Sequence, residues 1–258
     1  MSLPPSPDPA PVCLDDVLGR TDVWRGRAQG FRPQACVDTG YAGLNSELLG
    51  GGWPLSSFIE ICQPTNQHAE WLLLLPALCR TTSGYIVLLN PPALPFAPAL
   101  AHMGLDLERL LIVNTHNKAD FLASFFELCR AQACDAVVAW QPRQVLSYSE
   151  LRKCLLASAD GLGLYVFYRP ATQWRQSSPA SLRLKVEVAS SVLRVEVFKQ
   201  KGLLQLSSSR PVYIPFPDTW HKVLPHRALD EPVSRVEAAT SSPAKGTPVG
   251  KLVPLRGR

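Results

Sequence analysis

The stretch Phe58-Ile-Glu-Ile-Cys-Gln-Pro-Thr-Asn-Gln-His-Ala-Glu-Trp-Leu-Leu-Leu-Leu75 decides how this chain is read. It opens as a short apolar strand, turns at Gln63-Pro64, and continues as an apolar helix starting near Trp71. Strand, turn and helix in that order are the setting of a phosphate-binding loop. Such a loop uses glycines so that backbone N–H groups wrap the phosphates, a Lys for the β- and γ-phosphates, and a Ser or Thr for Mg²⁺. This turn has no Gly and no Lys, and Ala69-Glu70 stands where Lys-Ser/Thr belongs. A carboxylate at Glu70 suits a helix N-terminus but repels an anionic ligand. The expectation is a nucleotide-binding scaffold whose active groups are gone, with Gln63, His68, Ala69 and Glu70 as its degenerate positions.

Outward from that stretch, strands and helices alternate, which predicts an α/β fold with a mostly parallel sheet flanked by helices. Residues 57–62 are the first strand and 70–80 its crossover helix, with a kink expected at Pro76. Strands follow at 85–89, 110–113, 136–140 and 164–168. Helices are expected at 97–103, with Gly104 as its C′ residue, at 117–133, and at 147–160, where Ser147 and Glu150 have capping-box spacing. The pattern then changes. Residues 182–188 and 193–198 alternate strictly between apolar and polar, as half-exposed antiparallel strands extending one edge of the sheet.

At 258 residues and 46% hydrophobic content, the chain can bury one sizeable core. No window reaches the roughly eighteen uncharged apolar residues of a membrane-spanning helix. Residues 1–11 lack the basic start and apolar stretch of a signal peptide, so a cytoplasmic location is expected. The seven cysteines include no C-x-x-C pair. They read as reduced core residues in a reducing compartment, with no metal and no cofactor implied. His68 and His116 read as turn and surface residues.

The expected domain plan is a flexible Pro-rich segment at 1–22, one α/β domain at 23–221, and a basic, disordered tail at 222–258. That tail carries seven basic residues against three acidic ones, nearly all of the chain's formal +5, and its apolar periodicity disappears. Within it, Lys251, Leu252, Val253, Leu255 and Arg256 form a short apolar-basic motif. It is a candidate partner-binding peptide, against the alternative of a purely solubilising extension. Trp24 and Arg25 are candidates for an N-terminal arm that docks on the core or on a neighbouring subunit.

Several longer segments resemble RecA-type recombinases in order and spacing over roughly residues 37–216. Thr39-Gly40 and Gly50-Gly-Gly-Trp-Pro-Leu55 resemble the run leading into the first core strand. Gly84-Tyr-Ile-Val-Leu-Leu-Asn90 is similar to the second. Met103-Gly-Leu-Asp-Leu-Glu-Arg-Leu-Leu-Ile-Val113 is similar to the Leu-Gly-Val-Asp run and the strand after it. Asp135-Ala-Val-Val-Ala-Trp140 stands in the place of the Walker B strand, and Leu193-Arg-Val-Glu-Val-Phe-Lys-Gln-Lys-Gly202 resembles a late strand. Within that group the chain resembles the ImuA-type family, RecA-like and SulA-related proteins of bacterial SOS mutagenesis cassettes. The signs are Val23-Trp24-Arg25, Gly50–Leu55, Pro91-Pro-Ala-Leu-Pro-Phe-Ala-Pro-Ala-Leu100, Ala139-Trp-Gln-Pro142 and Phe167-Tyr-Arg-Pro170.

The resemblance implies a RecA-like core and lets the machinery be checked position by position. The carboxylate that polarises the attacking water falls near Pro92, and the Walker B Asp at Ala139 or Trp140. Phosphoryl transfer depends on positioning and charge stabilisation, so an enzyme is not expected. RecA holds single-stranded DNA with two loops after its fourth and fifth core strands. The first is much shorter here (141–146). The second (169–181) holds Arg169, Trp174 and Arg175, ingredients of base stacking and phosphate contact. They are candidates for weak single-stranded DNA binding, against a solvated connector with Trp174 packed on the sheet. The family implies an accessory role in translesion DNA synthesis beside an ImuB-type Y-family polymerase homologue, with a DnaE-type error-prone polymerase and RecA as further partners. The alternative is a SulA-like inhibitor of cell division that binds FtsZ.

Overall fold

A computed structural model describes residues 35–81, 83–189, 191–202 and 210–217. Cys36–Val37 (β1) pairs antiparallel with Trp53–Pro54 (β2), and the short helix α1 (Ala42–Glu47) lies between them. Strand β3 (Ser57–Gln63), buried along its whole length, leads into helix α2 (Glu70–Leu78). Then come β4 (Tyr85–Leu89), α3 (Ala97–His102), β5 (Leu110–Val113), α4 (Lys118–Arg130), β6 (Cys134–Trp140), α5 (Tyr148–Asp160) and β7 (Leu164–Pro170). The last described strands are β8 (Leu182–Ala189), β9 (Val192–Gln200) and β10 (Val212–Pro215).

Strands β3 to β10 form one sheet in the order β10-β9-β8-β3-β7-β6-β4-β5. All pairings from β8 to β5 are parallel, while β9 runs antiparallel to both β8 and β10. The expected mixed α/β class, with antiparallel strands toward the C-terminus, is therefore the one the chain adopts. The short elements β1, β2, α1 and β10 were not foreseen.

Both faces of the parallel part are covered, which is why β4 and residues 136–140 of β6 read as unbroken apolar runs. On one face, Leu72 to Leu75 of α2, Leu44 of α1 and Leu100 of α3 pack on Ile59, Ile61, Ile86, Leu88, Val138 and Val166. On the other, Phe121 and Phe125 of α4 and Leu151 and Cys154 of α5 pack on Phe58, Val87, Val137, Tyr165 and Phe167. An aromatic cluster centres this second layer. Phe58 stacks on Phe167 with ring centres 5.7 Å apart and meets Phe125 edge-on at 6.0 Å.

Helix α2 continues through Pro76 to Leu78. Proline has no amide proton, so the carbonyl four residues earlier loses its intrahelical donor. That carbonyl belongs to Leu72, and the Tyr41 hydroxyl donates to it instead. Gly40 allows the approach. Its φ is +87°, and a Cβ there would stand 2.4 Å from the Pro76 Cβ.

At the amino ends of the strands, Asp135 closes the sheet. Its carboxylate accepts from the amides of Ser83 (3.0 Å) and Gly84 (2.8 Å) and pairs with Arg109, whose Nε donates to the Gly84 carbonyl at 2.7 Å.

The expected capping box of α5 is present. Ser147 Oγ accepts from the Glu150 amide, and the Glu150 carboxylate accepts from the Ser147 amide at 2.7 Å. Lys118 Nζ of α4 stands 2.9 Å from the same carboxylate. The Ser147 amide, and after it Lys118, hold the Glu150 carboxyl down from 4.5 to about 2. The unfolded chain therefore takes up this proton near 4.5, well before the folded chain does. The stabilisation is complete above about 4.5 and is lost as pH falls toward about 2. Urea midpoints measured across that acid window should fall less steeply for Glu150→Gln than for the parent. Identical slopes would mean that other carboxylates carry the acid response.

Among the described residues, no helix is long and apolar enough to cross a membrane.

Candidate functional site

Topology places the site. Strands β4 and β6 are neighbours, but α3 leaves β4 toward one face while α5 leaves β6 toward the other. Where adjacent connections part in this way, a crevice opens beyond the carboxyl ends of the strands, the usual ligand position in open α/β sheets. Asn90 turns the chain out of β4 with φ +55°, a conformation that asparagine tolerates better than most residues. Its Oδ1 accepts from the Thr115 amide at 2.6 Å, tying the ends of β4 and β5 together. The crevice holds two adjoining hollows. A larger, polar one of about 680 Å³ lies between residues 90–92, 114–118 and 141–144. A narrower one of about 240 Å³ is lined by Gln63, Glu70, Pro92, Trp140, Tyr168 and Arg169, among others.

The narrow hollow gathers the positions that the sequence suggested for a degenerate phosphate site. Residues far apart in sequence meet on one carboxylate oxygen there. Gln63 Nε2 donates to Glu70 Oε1 at 2.9 Å, the Trp140 indole N–H donates to it at 3.1 Å, and His68 Nδ1 stands 3.6 Å away. Glu70 is only 5% exposed, and Ala69 beside it is packed into the core. The Trp140 ring lies over Tyr168, with centres 5.4 Å apart and planes 14° from parallel. Burial, and after it the Glu70 carboxylate, push the Tyr168 hydroxyl well above its ordinary range. Five of the six expected positions (Gln63, His68, Glu70, Pro92 and Trp140) therefore line one cavity. A phosphate placed there would face a carboxylate where a working site presents lysine and backbone amides.

The opposite face of β3 carries a second buried carboxylate, unforeseen in the sequence. Glu60 is fully buried and binds two guanidiniums: Arg169 Nη1 at 3.1 Å and Arg183 Nε at 2.8 Å. Arg169 also donates to Gln141 Oε1 and Gln176 Oε1, at 3.0 and 3.2 Å. This corrects the expectation for Arg169 as a solvent-facing DNA contact, since its guanidinium is held inside by Glu60. The 171–181 segment folds back over this cluster. The Ser181 amide donates to the Phe58 carbonyl at 3.0 Å, and Lys199 Nζ to the Ser178 carbonyl at 2.7 Å. Trp174 meets Phe198 of β9 edge-on at 6.0 Å and carries the Arg175 guanidinium 4.9 Å above its ring. Trp174 and Arg175 stay at the surface, separated in role from Arg169.

A sequence signal for Glu60 existed: a lone carboxylate inside an apolar strand needs buried partners. Arg183 was hidden by the alternation of 182–188, which made it look solvent-facing. Trp24, Arg25, Lys251, Leu252, Val253, Leu255 and Arg256 lie outside the described residues.

Among the described residues, no thiol near the site is activated. Cys62, Cys79, Cys129, Cys134 and Cys154 are free, and burial raises these thiols and that of Cys36, up to about 12 for Cys62, Cys129 and Cys154. Among the described residues, no group of three His, Cys, Asp or Glu side chains could hold a metal ion.

No family model matches this chain. No curated protein matches it either. Among solved structures, the crystal structure of SulA from Pseudomonas aeruginosa is similar to part of it, at 24% identity with a TM-score of 0.36. That likeness covers 43% of this chain and 97% of the other.

Proposed function

We propose that this chain is a non-catalytic RecA-like accessory protein of SOS-induced translesion DNA synthesis, working in the cytoplasm by binding partner proteins. The observation that carries the reading is the hollow at the expected phosphate position, where Gln63 and Trp140 both donate to the Glu70 carboxylate and no lysine faces the space. Phosphoryl transfer needs cationic groups and Mg²⁺ around the transferred phosphate, and this hollow offers a carboxylate. A scaffold shaped for a nucleotide but built against one retains its surface as the working part. The ImuA-type signatures at 50–55, 91–100, 139–142 and 167–170 supply the context. The partners in this reading are an ImuB-type Y-family polymerase homologue first, with a DnaE-type polymerase and RecA as further contacts. In this reading the exposed Trp174 and Arg175 add weak single-stranded DNA affinity.

Affinity capture on the full chain from DNA-damaged cells of the source, read by mass spectrometry, tests this directly. The ImuB-type protein or RecA is expected among the captured partners, and Mg²⁺–ATP hydrolysis by the purified chain should stay at the buffer rate. Capture of FtsZ in their place would make the chain a division inhibitor. ATP turnover that copurifies with the chain would overturn the non-catalytic reading.

A further inference from the structure

We propose that the narrow hollow is a binding site for a guanidinium or alkylammonium group, carried either by a free small molecule or by a basic side chain of a partner protein. The proposal rests on the reading that this site no longer takes a nucleotide.

Two atoms point to a missing ligand. Gln63 Oε1 and the Tyr168 hydroxyl oxygen are buried without a hydrogen-bond partner among the described residues. Their residues are 6% and 2% exposed, and both line the hollow. Folded proteins rarely leave buried polar atoms unpaired, because each forfeits its hydration without replacement.

The chemistry of what is missing follows from what remains. Gln63 already gives its Nε2 to Glu70, so its Oε1 can only accept. The contacts of Glu70 converge on Oε1, which leaves Oε2 as a second acceptor. A carbonyl oxygen, a carboxylate oxygen and a hydroxyl together match a planar cation with several donors. The walls match an aliphatic stem, since Pro92, Pro170 and the Trp140 ring line the same space. Its volume, about 240 Å³, falls below the roughly 300–1,000 Å³ that accommodates drug-sized ligands. One cation does line the wall, but Arg169 is already engaged by Glu60, Gln141 and Gln176. Glu70 is the group left to choose the sign of the ligand.

The test uses the full chain labelled with ¹⁵N, following the Trp140 indole N–H while agmatine, N-acetyl-argininamide, butylamine or Mg²⁺–ATP is added. Agmatine and the blocked arginine should shift that signal saturably, and ATP should not. Glu70→Gln should weaken the guanidine at least about tenfold, as loss of a charged hydrogen-bond partner does. Tyr168→Phe should weaken it about threefold. The second variant guards against misfolding of the first, because its hydroxyl has no bond among the described residues and its removal should not lower Tm. Tighter binding of the blocked arginine than of agmatine assigns the site to a protein side chain, and the reverse order to a free metabolite. No saturable shift with any guanidine or amine up to about 10 mM overturns the cation site alone, as does binding unaltered in both variants. A saturable shift with ATP overturns the loss of nucleotide binding as well.

Discussion

Replacing Glu60 with Gln is expected to cost about 3–5 kcal/mol of unfolding free energy, as removal of one partner from a buried ion pair does. The carboxylate is fully buried and is the anion that Arg169 and Arg183 share, at 3.1 and 2.8 Å. Glutamine keeps the shape and one carbonyl oxygen but leaves two guanidiniums buried with no counter-charge. Urea unfolding at neutral pH, followed by tryptophan fluorescence, would measure the loss. A second variant separates charge from packing. Exchanging all three residues for apolar ones of similar volume should recover much of the stability, because well-packed apolar replacements of buried ion clusters are often neutral. A loss below about 1 kcal/mol for Glu60→Gln would mean that water reaches the cluster.

Phe125→Ala should remove about 3–5 kcal/mol, the usual range for emptying a buried phenylalanine site. Phe125 is fully buried in α4 and meets Phe58 edge-on at 6.0 Å and Tyr165 at 6.5 Å. Those contacts hold α4 against the two central strands, so the cavity would open at the middle of the layer. The matched control is Leu156→Ala on α5, a side chain 56% exposed, expected within about 0.5 kcal/mol of the parent. Pairing Phe125→Ala with Phe58→Ala should give a coupling energy of about 0.5–1.5 kcal/mol, the increment of an aromatic pair beyond its area. Strictly additive losses would argue that the two rings do not depend on each other.

Much of the sheet was legible in the sequence, and the reasons are local. Tyr85–Leu89 and Leu110–Val113 have the bounds expected of them, because short apolar runs between glycine, asparagine and charged residues leave little choice. Ser147 with Glu150 marked the start of α5 through spacing alone, and Gly104 ended α3 through its positive φ of +91°. The segment between β1 and β2 was not legible. Strands of two residues and a six-residue helix carry too few positions for a period to show.

The site divides in the same way. An absent glycine and an absent lysine are local facts, so the degeneracy of the loop could be read directly. The convergence of Trp140 on Glu70 spans 70 residues and depends on β6 lying two strands from β3. Arg169 misled because it follows an apolar strand and precedes a polar loop, the usual place for an exposed cation. Its partner Glu60 lies on β3, the strand paired with its own, and only the register of β7 against β3 brings them together.

Pro76 has a consequence for inheritance. A substitution that restored an amide at that position would make the Tyr41 hydroxyl share the Leu72 carbonyl with a donor from its own helix. The same change would withdraw the ring that Gly40 now makes room for. Three positions on two separate segments are thereby bound into one character. Drift at any one relaxes or penalises the other two, so descendants of this chain should keep the proline, the tyrosine and the glycine together or lose them together.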